Sequence, residues 1–307
     1  MEKRKIGSLV VTAVGLGCNN FGGRLDEDAT RKVVRAALDA GIDFFDTADI
    51  YGNHGLSEEY LGRALGARRR DVFIATKFGN RMDDQRHGAR PEYIRQAAED
   101  SLRRLGTGHI DLYQLHTPDP DVPIADTIGA LNELVRAGKV REIGCSNFSV
   151  QQIRDAESAA AENHTARFVS VQNEYSLLHR DPERGVLEEC ERIGMAFLPY
   201  FPLASGLLTG KYHRGQPAPT GSRLASGPRA DQLNDAALQR VEALRSFAQS
   251  RSHTLLDLAF GWLLSHSVIA SVIAGATKPE QVNANVAAAA WRMSEADCAA
   301  IDTILKD

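Results

Sequence analysis

The sequence predicts an α/β fold, a (β/α)8 TIM barrel that follows a short N-terminal β-hairpin and carries additional helices. Short apolar runs rich in β-branched residues alternate with segments of helical period along the chain, the pattern of a parallel sheet with helices outside it. There are about eight such runs, the number that closes a barrel. An open doubly wound sheet is the alternative, but no G-x-G-x-x-G turn opens a helix after the first strand. The nearest string, GLGCNNFGG at 15–23, has the wrong glycine spacing and reads as a flexible strand-to-helix loop.

Residues 4–12, with Gly7-Ser8 in the middle, read as the hairpin. Strands are expected at 13–17, 44–46, 72–77, 110–115, 142–145, 168–172, 196–200 and 268–273. Helical stretches lie between them at 27–40, 57–65, 91–105, 124–137 and 150–161. Pro91 suits the first turn of its helix, where its missing N–H would be unpaired anyway, and glycines follow several helices as stops. Residues 211–229 are rich in Gly, Pro, Ser and Arg and have no period, so a long loop is expected, functional or mobile. The alanines at 287–290 belong to a helix, and a last helix-like run covers 294–305. No internal repeat or linker divides the chain, and 1–307 is expected to be one barrel domain.

A hydrophobic fraction of 43% and a charged fraction of 25% are ordinary for a globular protein. The net charge of -4 gives no basic footprint for nucleic acid. Arg68, Arg69 and Arg70 read as a solvated helix end. The four cysteines, Cys18, Cys145, Cys190 and Cys298, form no CxxC pair, which argues against a metal or disulfide framework and fits a reducing compartment. The N-terminal apolar run is too short for a signal peptide, and no segment has membrane-spanning length. A cytoplasmic protein with no membrane or nucleic-acid partner and no metal is expected; the oligomeric state is not readable.

Catalytic residues of parallel α/β barrels come from the C-terminal ends of strands and the loops after them. Asp46 ends one apolar run, Lys77 another and His116 a third, and Tyr51 lies in the loop after Asp46. Singly, each has an ordinary explanation: a helix cap, a surface lysine, a satisfied core histidine. Together they point to one active site. A phenol beside an amine and an imidazole suits proton donation to a carbonyl oxygen. Free tyrosine has a pKa of about 10, and a nearby ammonium is expected to lower it. Asp46 would hold Lys77 charged, and His116 would hydrogen-bond the carbonyl oxygen and orient the substrate. The set lacks an electron source, so a hydride must come from a cofactor.

GIDFFDTADIYG…SEEYLGRAL, the strand ending in Lys77, and LYQLH resemble the aldo-keto reductases over nearly the whole chain. The resemblance implies a (β/α)8 barrel that uses NADPH without a Rossmann fold. CSNFS at 145–149 implies that Ser146 and Asn147 reach the nicotinamide amide, with Gln172 from VQNEYSLL at 171–178. PYFPLASGLLTGK at 199–211 is similar to the family's cofactor loop, with Tyr200 stacking on the nicotinamide and Leu203, Ser205, Gly206, Leu207 and Lys211 along the pyrophosphate. VIAGATKPEQVNANV at 272–286 resembles the adenosine-phosphate segment, which implies Gly275, Thr277, Lys278, Gln281 and Asn285. That segment departs from the family, with Gly275 where many members have Lys, Gln281 where many have Arg, and Ala284 where an acid is common. Lys278 is then the cation for a 2′-phosphate, aided by Thr277, and NADPH is preferred to NADH.

The leading expectation is an NADPH-dependent reductase of aldehydes and ketones, small-molecule carbonyl compounds, with Tyr51 as proton donor. Some relatives of this family are cofactor-sensing regulatory β subunits of potassium channels with little turnover, and this is the second reading. The presence of all four residues, His116 included, and the expected lack of a gating extension before the barrel favour the enzyme. A hydrolase or metal enzyme would need clustered ligands, and His54, His87 and His109 lack that spacing. Phe21 and Phe78 are the candidate apolar walls for substrate, with the polar loop at 78–90 taking part. No long C-terminal loop is expected to cover the pocket, which suggests a broad substrate range.

Overall fold

The hairpin does more than precede the barrel. In a computed structural model that describes residues 1–306, β1 (Lys3–Ile6) and β2 (Leu9–Thr12) pair antiparallel, with Ile6 opposite Leu9. Ile6, Leu9 and Val11 are fully buried against Phe44, Ala75, Leu112 and Leu198, side chains that point into the barrel. The hairpin thus plugs the end where the strands begin and leaves the opposite rim as the open mouth.

The barrel strands are β3 (Val14–Gly17), β4 (Phe44–Asp46), β5 (Phe73–Phe78), β6 (Ile110–Leu115), β7 (Val140–Ser146), β8 (Phe168–Glu174), β9 (Ala196–Tyr200) and β10 (Val272–Gly275). They run parallel in the order β10-β3-β4-β5-β6-β7-β8-β9. Closure between β9 and β10 is irregular: Phe197 N donates to Val268 O at 2.8 Å, and Ala270 N to Phe197 O at 3.1 Å. This explains a shifted boundary. Residues expected to begin the last strand at 268 serve as the closing bridge, and the ladder with β3 starts only at Val272.

The outer helices are α1 (Glu27–Asp39), α2 (Tyr51–Leu65), α3 (Pro91–Leu105), α4 (Ile124–Arg136), α5 (Val150–Asn163), α6 (Val186–Ile193), α7 (Asp235–Ser250), α8 (Leu255–Ser265), α9 (Pro279–Ala288) and α10 (Glu295–Lys306). Pro91 opens α3 as expected. Ser149 and Gln152 form a reciprocal cap on α5, as Thr254 and Asp257 do on α8, each satisfying donors that the first turn leaves free. α6, α7 and α8 are additions to the helices expected from sequence, and α9 stops at Ala288, within the alanine run. Among the described residues no helix is long and apolar enough to cross a membrane.

A polar cluster is buried between the barrel and the helices α2 and α3. Asp49 has one carboxyl oxygen without a partner, while the other accepts from Tyr93 Oη at 3.5 Å. Burial, and then the nearby Glu58 carboxylate, push Asp49 up to about 8. An unfolded aspartate ionises near about 3.9. Between those values the folded chain keeps a proton that the unfolded chain has lost, so this contribution to stability shrinks as pH rises, by up to about 1.4 kcal/mol per unit. Above the folded value both states are ionised and the slope ends. Asp49→Asn, permanently neutral, is therefore expected to gain melting temperature relative to the parent between pH 5 and pH 8. Equal differences at both pH values would remove Asp49 as the buried acid.

Candidate active site

β4 delivers Asp46 to the mouth of the barrel, the next residues cross the rim, and Tyr51 begins α2. Lys77, on β5 beside it, is fully buried. Its Nζ donates to Asp46 Oδ2 at 2.7 Å and to Thr47 O at 2.8 Å, and lies 5.2 Å from the centre of the Tyr51 ring. His116 leaves β6 with its N–H on Phe78 O at 2.8 Å, and its ring meets Tyr51 edge to face at 5.7 Å. Three residues that end separate apolar runs, with Tyr51 from the loop after the first, are thus one cluster.

Burial controls their protonation. It works against the Lys77 ammonium, but Asp46 and Tyr51 outweigh it and the pKa is raised. Burial raises the Tyr51 phenol, and the Lys77 charge pulls it back only in part, so the net shift is upward. The expectation that the ammonium lowers this pKa below its ordinary value is corrected: the direction of the Lys77 effect is right, but desolvation of a phenolate is larger. Burial, and then Lys77, hold His116 down at about 3, so its imidazole is neutral at pH 7. Its Nδ1 is buried without a partner.

The next three strands place the residues expected to hold a nicotinamide. Ser146 Oγ donates to Gln172 O at 2.6 Å. Asn147 Nδ2 donates to His116 O at 2.9 Å, and Asn147 Oδ1 accepts from Tyr200 Oη at 2.8 Å. Gln172 Nε2 donates to Asp46 Oδ1 at 3.0 Å, linking this group to the acid. Beyond β9 the chain turns through Ser205 and Gly206, both at positive φ, and the Ser205 hydroxyl is buried without a partner. Gly206 holds φ 100, a conformation that favours glycine, and lies close under Lys211, whose Nζ would be 2.9 Å from an added Cβ. Lys278 stands at the N-cap of α9, and Gln281 turns its amide oxygen back onto the Thr277 N–H at 2.7 Å.

These groups surround one cavity of about 1050 Å³. Asp46, Tyr51 and His116 line it, with Ser146, Asn147, Gln172, Tyr200, Leu203, Ser205, Gly206, Lys211, Gly275, Thr277, Lys278, Gln281 and Asn285. Lys77 lies beneath its floor. Leu207 is buried behind the cradle and is not part of the wall. Phe21 and Phe78, expected as apolar walls for substrate, are both 0% exposed and do not line the cavity. The reason for Phe78 is strand alternation: Lys77 points inward, so Phe78 points out and stacks on Tyr113 at 4.7 Å. Phe21 is packed in the outer core below the β3 loop. Asn80, from the loop after β5, does reach the cavity.

The long loop supplies residues that the sequence did not single out. Arg229 forms a two-point pair with Glu174, at 2.9 and 3.0 Å, and its guanidinium lies 4.2 Å from the centre of Phe201. Arg223 Nη2 donates to Asn20 Oδ1 at 3.0 Å. Both arginines, with Asn20 and Phe201, line the cavity. The arginines of an aperiodic Gly/Pro-rich segment are the available signal. Burial, then Arg24 and Arg229, hold Arg223 below its ordinary value, as expected of a cation without a carboxylate partner.

The unpartnered Ser205 hydroxyl, the glycine turn against Lys211 and the helix N-terminus at Lys278 fit a phosphate-bearing dinucleotide. The model of the Aldo/keto reductase family matches residues 13–306. A probable aldo-keto reductase 1 of Glycine max is 36% identical over 296 residues, covering 94% of this chain and 83% of that protein. A probable voltage-gated potassium channel subunit beta of Oryza sativa subsp. japonica is 35% identical over 277 residues, covering 87% of this chain and 84% of that one. The structure of the glycerol dehydrogenase AKR11B4 from Gluconobacter oxydans superposes with a TM-score of 0.85 at 30% identity, covering 99% of this chain and 95% of its own.

Proposed function

Because this chain belongs to the aldo/keto reductase family, we propose that it is an oxidoreductase that reduces aldehydes or ketones to alcohols with NADPH, and that Tyr51 donates the proton. The observation that carries this is the Asp46–Lys77–Tyr51–His116 cluster at the floor of the cavity. When bound, the cofactor supplies the hydride. Ser146, Asn147 and Gln172 would hold its nicotinamide amide and Tyr200 its ring. The turn at Ser205 and Gly206 with Lys211 would hold the pyrophosphate, and Thr277, Lys278, Gln281 and Asn285 the adenosine phosphate. The chain's own work is to place a protonated phenol and a neutral imidazole against the carbonyl oxygen. His116, uncharged, hydrogen-bonds that oxygen without competing as an acid. Asp46 keeps Lys77 charged, and Lys77 limits how far burial raises the phenol.

The test is NADPH oxidation with a panel of short, aromatic and hydroxylated aldehydes and ketones. The rice relative named as a channel subunit gives a second reading, a cofactor sensor with little turnover. Sustained turnover over many equivalents supports the enzyme, and a single slow equivalent supports the sensor.

Choice of cofactor turns on Lys278. It is exposed at the start of α9, where the helix N-terminus also favours an anion. Lys278→Ala is expected to weaken NADPH about tenfold, equivalent to about 1.4 kcal/mol, and to leave NADH unchanged. Fluorescence titration with both cofactors measures this, and equal weakening of the two would place the 2′-phosphate elsewhere.

A further inference from the structure

The chain behind Tyr51 adopts a conformation that does not sustain itself. Gly52, Asn53 and His54 sit in the left-handed helical region at φ 64, 59 and 66, and Gly55 follows at φ 122. For Asn53 and His54 this region costs about 1 kcal/mol or more each. The bond from His54 N back to Ile50 O is long at 3.4 Å. Its neighbours must therefore hold it. On one side Gly52 lies against the β3 loop, where an added Cβ would come within 2.4 Å of Phe21 O. On the other side Gly55 lies against the Arg104 side chain of α3, where a Cβ would meet Cδ at 2.5 Å and Nε at 2.8 Å.

Arg104 is itself fixed. Its Nε donates to Glu58 Oε2 at 2.6 Å and its Nη2 to Ser101 Oγ at 3.3 Å. Glu58 is fully buried, and its other oxygen accepts from Thr76 Oγ1 at 2.5 Å. Thr76 immediately precedes Lys77 on β5. A continuous path, Gly55 to Arg104 to Glu58 to Thr76, thus ties the turn that carries the phenol to the strand that carries the ammonium. None of its four members lines the cavity.

We propose that Arg104 is a positioning residue for the reaction: through Gly55 and the Glu58–Thr76 link, it sets where Tyr51 stands relative to Lys77. This rests on the reductase reading of the same site. A static packing role would affect folding alone. A positioning role lowers the chemical step and spares binding, because Arg104 touches neither ligand.

Removing Arg104 alone leaves Glu58 buried without a cation, which is strongly destabilising, so the test uses the charge-balanced pair Arg104→Met/Glu58→Gln. With the fold intact by circular dichroism, kcat is expected to fall roughly 10- to 100-fold, the size of a misplacement of about 1 Å. KM for the carbonyl and the affinity for NADPH should stay within about twofold. Arg104→Lys, which keeps a cation on Glu58, should recover part of kcat. A folded double variant with the parent's kcat overturns the proposal, as does a loss shared equally by kcat and cofactor affinity. Gly55→Ala approaches from the turn side with Arg104 and Glu58 both present; the same kcat-only loss is expected, and unchanged kcat also overturns the role. The parent chain run in parallel separates the two claims. No turnover by the parent removes the reductase reading, whereas turnover by the parent with equal kcat in the variants removes only Arg104.

Discussion

Tyr51→Phe is expected to lower carbonyl reduction about 10²- to 10⁴-fold, the usual contribution of a positioned proton donor, and to leave NADPH affinity within about twofold. The substitution removes one hydroxyl and little else. The ring that meets His116 edge to face at 5.7 Å and lies 5.2 Å from Lys77 Nζ is retained, so the packing of the floor should persist. The other candidate donor is His116, and it cannot take over as an imidazolium, because burial and Lys77 keep it neutral down to about pH 3. Ser146, Asn147, Gln172 and Tyr200 make their side-chain hydrogen bonds to one another, to His116 and to Asp46, not to the phenol, so the loss of one hydroxyl should leave their arrangement in place. Steady-state kinetics and a fluorescence titration measure the two quantities. Unchanged turnover would end the assignment of Tyr51 as donor, and a large loss of NADPH affinity would mean that it holds the cofactor instead.

Much of this cluster is legible in the sequence. Asp46, Lys77 and His116 each end an apolar run, and in a parallel barrel the strand ends converge at one rim, so separation in sequence becomes proximity in space. The barrel followed from the same runs. What the sequence concealed has physical causes. α8 is buried nearly all round, which erases the 3.6-residue period by which a helix is recognised, and α6 is only 8 residues long. Phe78 could have been placed from alternation alone, since an inward Lys77 forces its neighbour outward. Arg223 and Arg229 could not: their position depends on how an aperiodic loop closes over the cavity, and their partners Asn20 and Glu174 lie far away in sequence. The sign of the Tyr51 shift also needed the structure. Residue types give the direction of each influence, but only burial decides that desolvation exceeds the attraction of Lys77.

Lys77→Met carries the second large effect, and it separates stability from rate. Asp46 is buried, and Lys77 is its cationic partner at 2.7 Å; Gln172 and Gln114 supply only amide hydrogens, at 3.0 and 3.4 Å. Breaking a buried pair from one side leaves a charge without compensation and costs about 3–5 kcal/mol, so the melting temperature should fall by many degrees. The rate should also fall, at least roughly tenfold: without the ammonium nothing offsets the burial of Tyr51, its pKa rises further, and each unit is worth about 1.4 kcal/mol. Either effect could be mistaken for the other in a single variant. The charge-balanced variant Lys77→Met/Asp46→Asn distinguishes them. Its floor holds no orphaned carboxylate, so most of the melting temperature should return; loss of the Asp46 charge relieves the phenol in part, but the larger Lys77 effect is still missing and the rate should remain below the parent's. If rate and stability recover together, Lys77 serves the fold and not the phenol. If stability returns alone, the buried lysine is in place for the chemistry of Tyr51.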